Sequence, residues 1–320
     1  MARPDARRYS YAPPCSLGDG RLIANHSHKI GGRTVTITQK TPNHDWDGKS
    51  GDNWVTHQLR LDLMLEAFGD AAMKAAAVEP GEHILDIGCG AGVTSFALAE
   101  RVGSGGHVLG ADISPQLIAR ARADAPDHTP VDFQLADAAT APFPQGVFDL
   151  LFSRFGVMFF DDPAGAFAHM RHGLKSGGRL AFVCWRSAQD NDWVRLPMAA
   201  IRDIVPPVPA DPMAPDPFAF ADPARISAIL TDAGFDEIAI TPFDAIIPYG
   251  HGTTRDEAID DALELAFAVG PLSRAFAGQP DDIRARAAAA VRTAFAARPG
   301  ETSVLIDGAA WIVTARNPGG

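Results

Sequence analysis

One stretch of the chain concentrates residues that could do chemistry. Ile84-Leu85-Asp86-Ile87-Gly88-Cys89-Gly90-Ala91-Gly92 runs from apolar residues into a carboxylate, then into three glycines at alternate positions. Glycines so spaced permit a tight turn and let the backbone approach a ligand with no side chain between them. A carboxylate beside that turn suits a ligand with a cationic amino group and would repel a pyrophosphate. A dinucleotide-binding turn, which rests a pyrophosphate on a helix N-terminus, reads Gly-x-Gly-x-x-Gly. Here Val93 stands where its last glycine would fall, and Gly92 comes one residue early. Asp112 and Asp137 close two later apolar runs, and Ser153-Arg154-Phe155 closes another. Arg154 could hold an anionic ligand bidentately or pair with Asp161 or Asp162. Trp54 and Trp185 offer aromatic faces to a cation. His57 lies three residues past Trp54, on the same side of a helix. Its neutral imidazole could serve as a general base, or the ring could be a solvated surface histidine.

The elements that must hold these residues alternate regularly. His83–Ile87, His107–Ala111, Val131–Leu135, Phe148–Phe152 and Arg179–Trp185 read as short apolar strands. Helices separate them: Thr94–Val102, one opened by Ser114-Pro115, and one opened by Asp162-Pro163 that runs to Leu174 and is stopped by Gly177-Gly178. Strands of this length between helices imply right-handed crossovers and a parallel sheet covered on both faces. Upstream, a helix over Asp52–Ala77 is expected to bury Val55, Leu59, Leu63 and Phe68, with Pro80-Gly81 ending it. Residues 1–52 read as loop, with one alternating run at 33–38. Beyond Trp185 come a proline-dense stretch at 205–223, a helix over Pro223–Ala233, and a strand over Glu237–Ile247. Helices near Thr254–Ala268 and Asp281–Ala297 follow, and then a strand over Ala309–Ala315.

The chain has 320 residues and a formal charge of −11. That acidity argues against a surface built to neutralise nucleic-acid phosphates or to coat an anionic membrane. No apolar run approaches the ~18 residues of a membrane span. Cys15, Cys89 and Cys184 lie too far apart in sequence for a zinc or redox motif, which favours a reducing cytoplasm. His26 and His28 lack assignable further ligands, so no metal is expected.

The segments His83–Gly90, Gly110-Ala111-Asp112-Ile113-Ser114, Phe148–Arg154 and Leu174–Leu180 resemble class I S-adenosylmethionine-dependent methyltransferases. The likeness is to the ubiquinone/menaquinone-biosynthesis-type branch that acts on small molecules. Asn53-Trp54-Val55 with Arg60-Leu61-Asp62 resembles that group's N-terminal helix, which closes over the methionine part of the cofactor. The resemblance covers residues 83–186 closely and thins after Trp185. It implies an α/β fold, a Rossmann-like seven-stranded, mostly parallel sheet with helices on both faces and helical lid insertions. It also implies S-adenosyl-L-methionine as cofactor. Asp112 would then face the ribose hydroxyls and Asp137-Ala138 the adenine edge. Trp54, Asp86, Gly88, Cys89, Gly90, Gly92, Ile113 and Ser153 complete the expected cofactor set. Phe155 and Trp185 are expected beside the acceptor, and His57 and Arg154 are the candidate catalytic residues.

Residues 53–186, 235–250 and 303–316 would form the cofactor domain, with 187–234 and 251–302 as acceptor cover. The 1–52 extension would be a lid, a dimer arm or a tail. The expected reaction is methyl transfer to O, N or C of a small metabolite or peptide. A non-catalytic S-adenosylmethionine-binding sensor or scaffold is the alternative, and a nicotinamide-dependent oxidoreductase fits less well.

Overall fold

The structure is a computed structural model, and it describes residues 46, 48–205, 215–276 and 278–318. The run at 33–38, His26, His28, Cys15 and part of the proline-dense stretch lie outside the described residues. In chain order the elements begin with α1 (Lys49–Thr56), α2 (Gln58–Ala76), β1 (His83–Ile87), α3 (Val93–Val102), β2 (His107–Asp112), α4 (Pro115–Asp124) and β3 (Val131–Leu135). Then come β4 (Phe148–Arg154), α5 (Pro163–Arg171), β5 (Leu174–Trp185), α6 (Asp192–Ile201) and α7 (Pro223–Asp232). The last are β6 (Asp236–His251), α8 (Arg255–Ala268), α9 (Pro271–Ala275), α10 (Asp281–Ala296) and β7 (Ser303–Arg316).

The strands form one seven-stranded sheet in the order β3-β2-β1-β4-β5-β7-β6. Only β7 runs antiparallel to its neighbours. In the middle of the sheet Ile84, Leu85, Leu150, Leu151, Leu180 and Phe182 are fully buried, as expected of strands covered on both faces. β1 feeds a crossover to β2 on one side, while β4 lies on its other side. That reversal opens a crevice beyond the carboxyl ends of β1 and β4, the usual ligand position in such sheets. Ser114, Asp162 and Thr254 each accept a first-turn amide as helix caps, the first two ahead of a proline.

Three sequence expectations are corrected. The single helix over 52–77 is two, broken at His57. Thr56 turns its hydroxyl back onto the Asp52 carbonyl at 2.9 Å, a bond that bends helices. Beyond the break the buried face is Leu61, Met64, Leu65, Phe68 and Ala72, lying over β5, β6 and β7. Leu59 and Leu63 instead stay 74% and 46% exposed. Finally, Gly177-Gly178 do not stop a helix, because α5 already ends at Arg171. The β4–β5 register jumps from Phe148↔Leu174 to Leu150↔Arg179, so 175–178 form a bulge inside β5.

The elements after β5 are held down by polar side chains. Fully buried Asn191 donates to the Ser187 and Ala309 carbonyls, both at 3.0 Å, and accepts from the Ala309 N–H at 3.0 Å. Its amide thus replaces a strand partner for β7. No helix among the described residues is long and apolar enough to cross a membrane. Asn191→Ala would strand the buried Ala309 N–H and leave the Ala309 carbonyl to the Arg186 N–H alone. Urea denaturation should show a loss of about 2–3 kcal/mol, and an unchanged midpoint would refute this role.

Candidate active site

The site starts at the end of β1. Asp86 is fully buried. Its Oδ2 accepts from the Thr94 hydroxyl at 2.8 Å and the Ser95 hydroxyl at 2.6 Å, both in the first turn of α3. Its Oδ1 has no partner among the described residues. Burial pushes the carboxyl up to about 6, against the pull of the two hydroxyls and of Arg154. An unpartnered buried oxygen costs free energy unless a ligand meets it.

The turn above Asp86 needs its glycines. Gly88, Gly90 and Gly92 all have positive φ, at 64°, 57° and 90°. A Cβ on Gly88 would meet the Gly156 Cα at 2.8 Å, so the turn lies backbone against backbone on the segment after β4. A Cβ on Gly90 would instead project into open space. The turn therefore presents a bare backbone face to whatever lies above it. Cys89 is buried beneath the turn, and Asp86, Asp112 and burial all push its thiol up.

Asp112, at the end of β2, braces that turn. Its Oδ2 accepts from the Gly90 N–H at 2.8 Å and its Oδ1 from the Ser114 N–H at 2.8 Å. Each oxygen keeps a lone pair. Burial raises its pKa against the pull of these amides. Beside it, Ile113 and Leu135 leave large apolar side chains 51% and 49% exposed at adjacent strand ends. Asp137 is exposed and accepts from the Ala139 N–H at 2.9 Å, while Ala138 is buried.

At the end of β4, the Ser153 hydroxyl donates to the Ile87 carbonyl at 2.7 Å and accepts from the Gly156 N–H at 3.1 Å. It thereby stitches β4 to β1. Arg154 does not pair with Asp161 or Asp162. Its Nη2 donates to Asp62 of α2 at 2.8 Å, and its stem lies against Gly69. Phe155 has φ at 58°, uncommon for a bulky side chain. Its ring stacks on Trp185 with centroids 4.1 Å apart, and Phe68 meets both rings edge-on. Both expected acceptor residues are therefore buried walls in this conformation.

α1 is tied to α4 and to the end of α8. Asp52 accepts from Gln116 of α4 at 3.2 Å, and Asn53 donates to the Ala268 carbonyl at the end of α8 at 2.8 Å. Trp54 packs edge-on against Trp46, which packs on Phe159. His57 stands at the break between α1 and α2. It lies 3.4 Å from Arg60, which pairs with Asp261 at 2.5 Å and Glu264 at 3.3 Å. Burial and Arg60 lower its pKa, which favours the neutral ring.

The residues expected at the strand ends are thus brought together, and His57 is turned toward α8. Sequence reading missed Thr94, Ser95, Leu135 and Asp62. The first two carried a signal, a Thr-Ser pair opening the helix after a glycine turn beside a carboxylate. Asp62 carried none. Among the described residues no cluster of three or more His, Cys, Asp or Glu side chains is arranged to hold a metal.

A parallel sheet with one reversed strand next to its edge, carboxylates at successive strand ends and a bare glycine turn at the crevice define a class I methyltransferase fold. Residues 85–182 match the family model described as a methyltransferase domain. The chain is 43% identical over 105 residues to aklanonic acid methyltransferase of Streptomyces sp. (strain C5), covering 32% of this chain and 48% of that protein. It is 35% identical over 106 residues to nocamycin O-methyltransferase of Saccharothrix syringae, covering 32% and 38%. The chain thus spans half or less of the length of these relatives. Phosphoethanolamine N-methyltransferase 2 of Haemonchus contortus, solved with phosphomonomethylethanolamine and S-adenosylhomocysteine, shares the fold. Its TM-score is 0.52 at 16% identity, over 86% of this chain and 60% of that one.

The sign of the Asp86 shift gives a test. Its folded pKa is raised from 3.8 to about 6, so the folded state favours the protonated form. That contribution to stability is full below pH 3.8 and is lost as pH rises through about 6. Asp86→Asn should therefore stabilise the ligand-free protein at pH 7.5 by up to ~3 kcal/mol. The gain should vanish at pH 4 in urea denaturation. A variant equally destabilised at both pH values would contradict this electrostatic account.

Proposed function

We propose that the protein transfers a methyl group from S-adenosyl-L-methionine to oxygen, nitrogen or carbon of a small organic acceptor, a reaction of the EC 2.1.1 class. The observation that carries this reading is the unpartnered, buried Oδ1 of Asp86 below a glycine turn with an open face. An acceptor-only oxygen there fits the ammonium of an amino-acid ligand. It does not fit a pyrophosphate, which disfavours the nicotinamide-dependent oxidoreductase.

When bound, S-adenosylmethionine supplies a methyl on a sulfonium, a leaving group already activated for in-line displacement. Asp86 accepts from the amino group, with Ser153 holding the adjoining backbone and Gly88, Cys89, Gly90 and Gly92 lying along the ligand. Asp112 uses its remaining lone pairs for the ribose hydroxyls, and such bonds contribute about 1.5–3 kcal/mol each before desolvation. Ile113 and Leu135 cover the adenine ring, and Asp137 with Ala138 meets its edge. α1 with Trp54 covers the methionine end.

Phe155 and Trp185 exclude water and align the acceptor, and alignment alone contributes about 7–11 kcal/mol where geometry is good. Neutral His57 is the base for acceptors that must lose a proton. Residues 187–234 and 251–302 cover the acceptor, 1–52 extend the lid, and 53–186, 235–250 and 303–316 hold the cofactor. The named acceptors of the two relatives support a small organic molecule over a peptide, and the charge of −11 disfavours nucleic acid. We place the protein in a reducing cytoplasm, where Cys89 and Cys184 stay thiols. The exposed Leu59 and Leu63 offer an apolar stripe to a homodimer.

The full chain, incubated with methyl-labelled S-adenosylmethionine and a metabolite extract, should yield a labelled product heavier by one methylene. Binding of S-adenosylhomocysteine without any labelled product would favour the sensor or scaffold. Asp112→Ala should weaken S-adenosylhomocysteine at least about tenfold by calorimetry, or ~1.4 kcal/mol. Unchanged affinity would remove Asp112 from the site.

A further inference from the structure

Arg154 acts electrostatically on Asp86, yet it makes no hydrogen bond to the free oxygen. Asp86 pairs with Phe152 in the β1–β4 ladder. Side chains alternate along a strand, so Phe152 and Arg154 leave the same face of the sheet as Asp86. α2 covers that face, and Gly69 leaves room for the Arg154 stem, 3.1 Å from where a Cβ would stand. Asp62, two turns earlier on α2, takes the Arg154 Nη2 at 2.8 Å. Both partners are largely shielded, with side chains 11% and 18% exposed. A guanidinium with a second, unpaired carboxylate oxygen nearby would bridge to it if released, because charge-assisted bonds are about twice as strong as neutral ones.

We infer that Asp62 is a positioning residue that holds Arg154 back from Asp86 and so reserves the free Asp86 oxygen for the cationic amino group of the ligand. Its value as a ligand site rests on the proposed cofactor, whereas the arrangement of charges stands on the ligand-free structure. The groups that act on Asp86 among the described residues come from three elements and its own turn. Thr94 and Ser95 come from α3, Arg154 from β4 and Asp112 from β2, with Cys89 on its own turn. Asp62 acts on Asp86 only through Arg154. Its removal should therefore not mimic loss of Asp86; it should replace the ligand's ammonium with the protein's own guanidinium.

The test is a double-mutant cycle on the full chain with two readouts. The first is calorimetric titration with S-adenosylhomocysteine across pH 4.5 to 8. The second is the pH titration of the Asp86 carboxyl carbon by NMR in the ligand-free protein. Asp62→Asn should weaken S-adenosylhomocysteine at least about tenfold at pH 8 and move the Asp86 titration to lower pH. Arg154→Met should move that titration to higher pH. Asp62→Asn with Arg154→Met should match Arg154→Met alone and recover most of the lost affinity, while Asp62→Glu should stay near the parent. The inference is overturned if Asp62→Asn leaves both readouts unchanged, or if the double variant is as weak as Asp62→Asn, which a merely structural role would give. A parent that binds no S-adenosylhomocysteine while Asp62→Asn still lowers the Asp86 titration would sink the cofactor reading and the reserved role together, leaving the charge arrangement intact.

Discussion

The site depends on one half-satisfied carboxylate. Asp86 is buried at the end of a central strand, with one oxygen held by two hydroxyls and the other left without a partner. Folding tolerates that cost because β1, β2 and β4 are packed on both faces and fix the Asp86 backbone. The same rigidity keeps the oxygen in place for a cation. The glycines serve this constraint. Gly88 lets the segment after β4 close against the turn, and Gly90 leaves the face above it bare.

The surroundings of Asp86 divide between bracing and covering. Asp112 braces the turn through the Gly90 amide, and Ser153 braces it through the Ile87 carbonyl. The strained Phe155 backbone turns an aromatic ring onto Trp185, and a bulky residue with positive φ persists only where its surroundings over-determine it. α1 is joined to α4 and to the end of α8 by side-chain hydrogen bonds. The segments after β5 are fastened by Asn191 against β7 and by Arg255, which gathers carbonyls from Ser303 and the end of α10.

Much of this was legible because the strands are short apolar runs between glycine or proline punctuation. Val131–Leu135 and His83–Ile87 fall where the sequence puts them, and Ser114-Pro115 and Asp162-Pro163 announce their helices. The carboxylates at the strand ends were legible for the same reason. Legibility failed where tertiary contacts chose between local alternatives. Val55, Leu59 and Leu63 make a plausible apolar stripe with Phe68, but the break at His57 resets the phase, and Leu61, Met64 and Leu65 join the expected Phe68 in the core. The Arg154–Asp62 pair joins residues 92 positions apart, beyond the reach of any local pattern. The bulge at 175–178 depends on the β4 register, which no propensity of Gly177-Gly178 reveals.

If Asp86 is the seat of a ligand's ammonium, binding must change its ionisation. The direct measurement is calorimetry of S-adenosylhomocysteine binding at pH 6, in two buffers with very different ionisation enthalpies. The carboxyl titrates at about 6 in the free protein, so the account predicts a buffer-dependent enthalpy that reports release of part of a proton. That release should fade by pH 8 and disappear in Asp86→Asn. Binding whose enthalpy is the same in both buffers at pH 6 would contradict it.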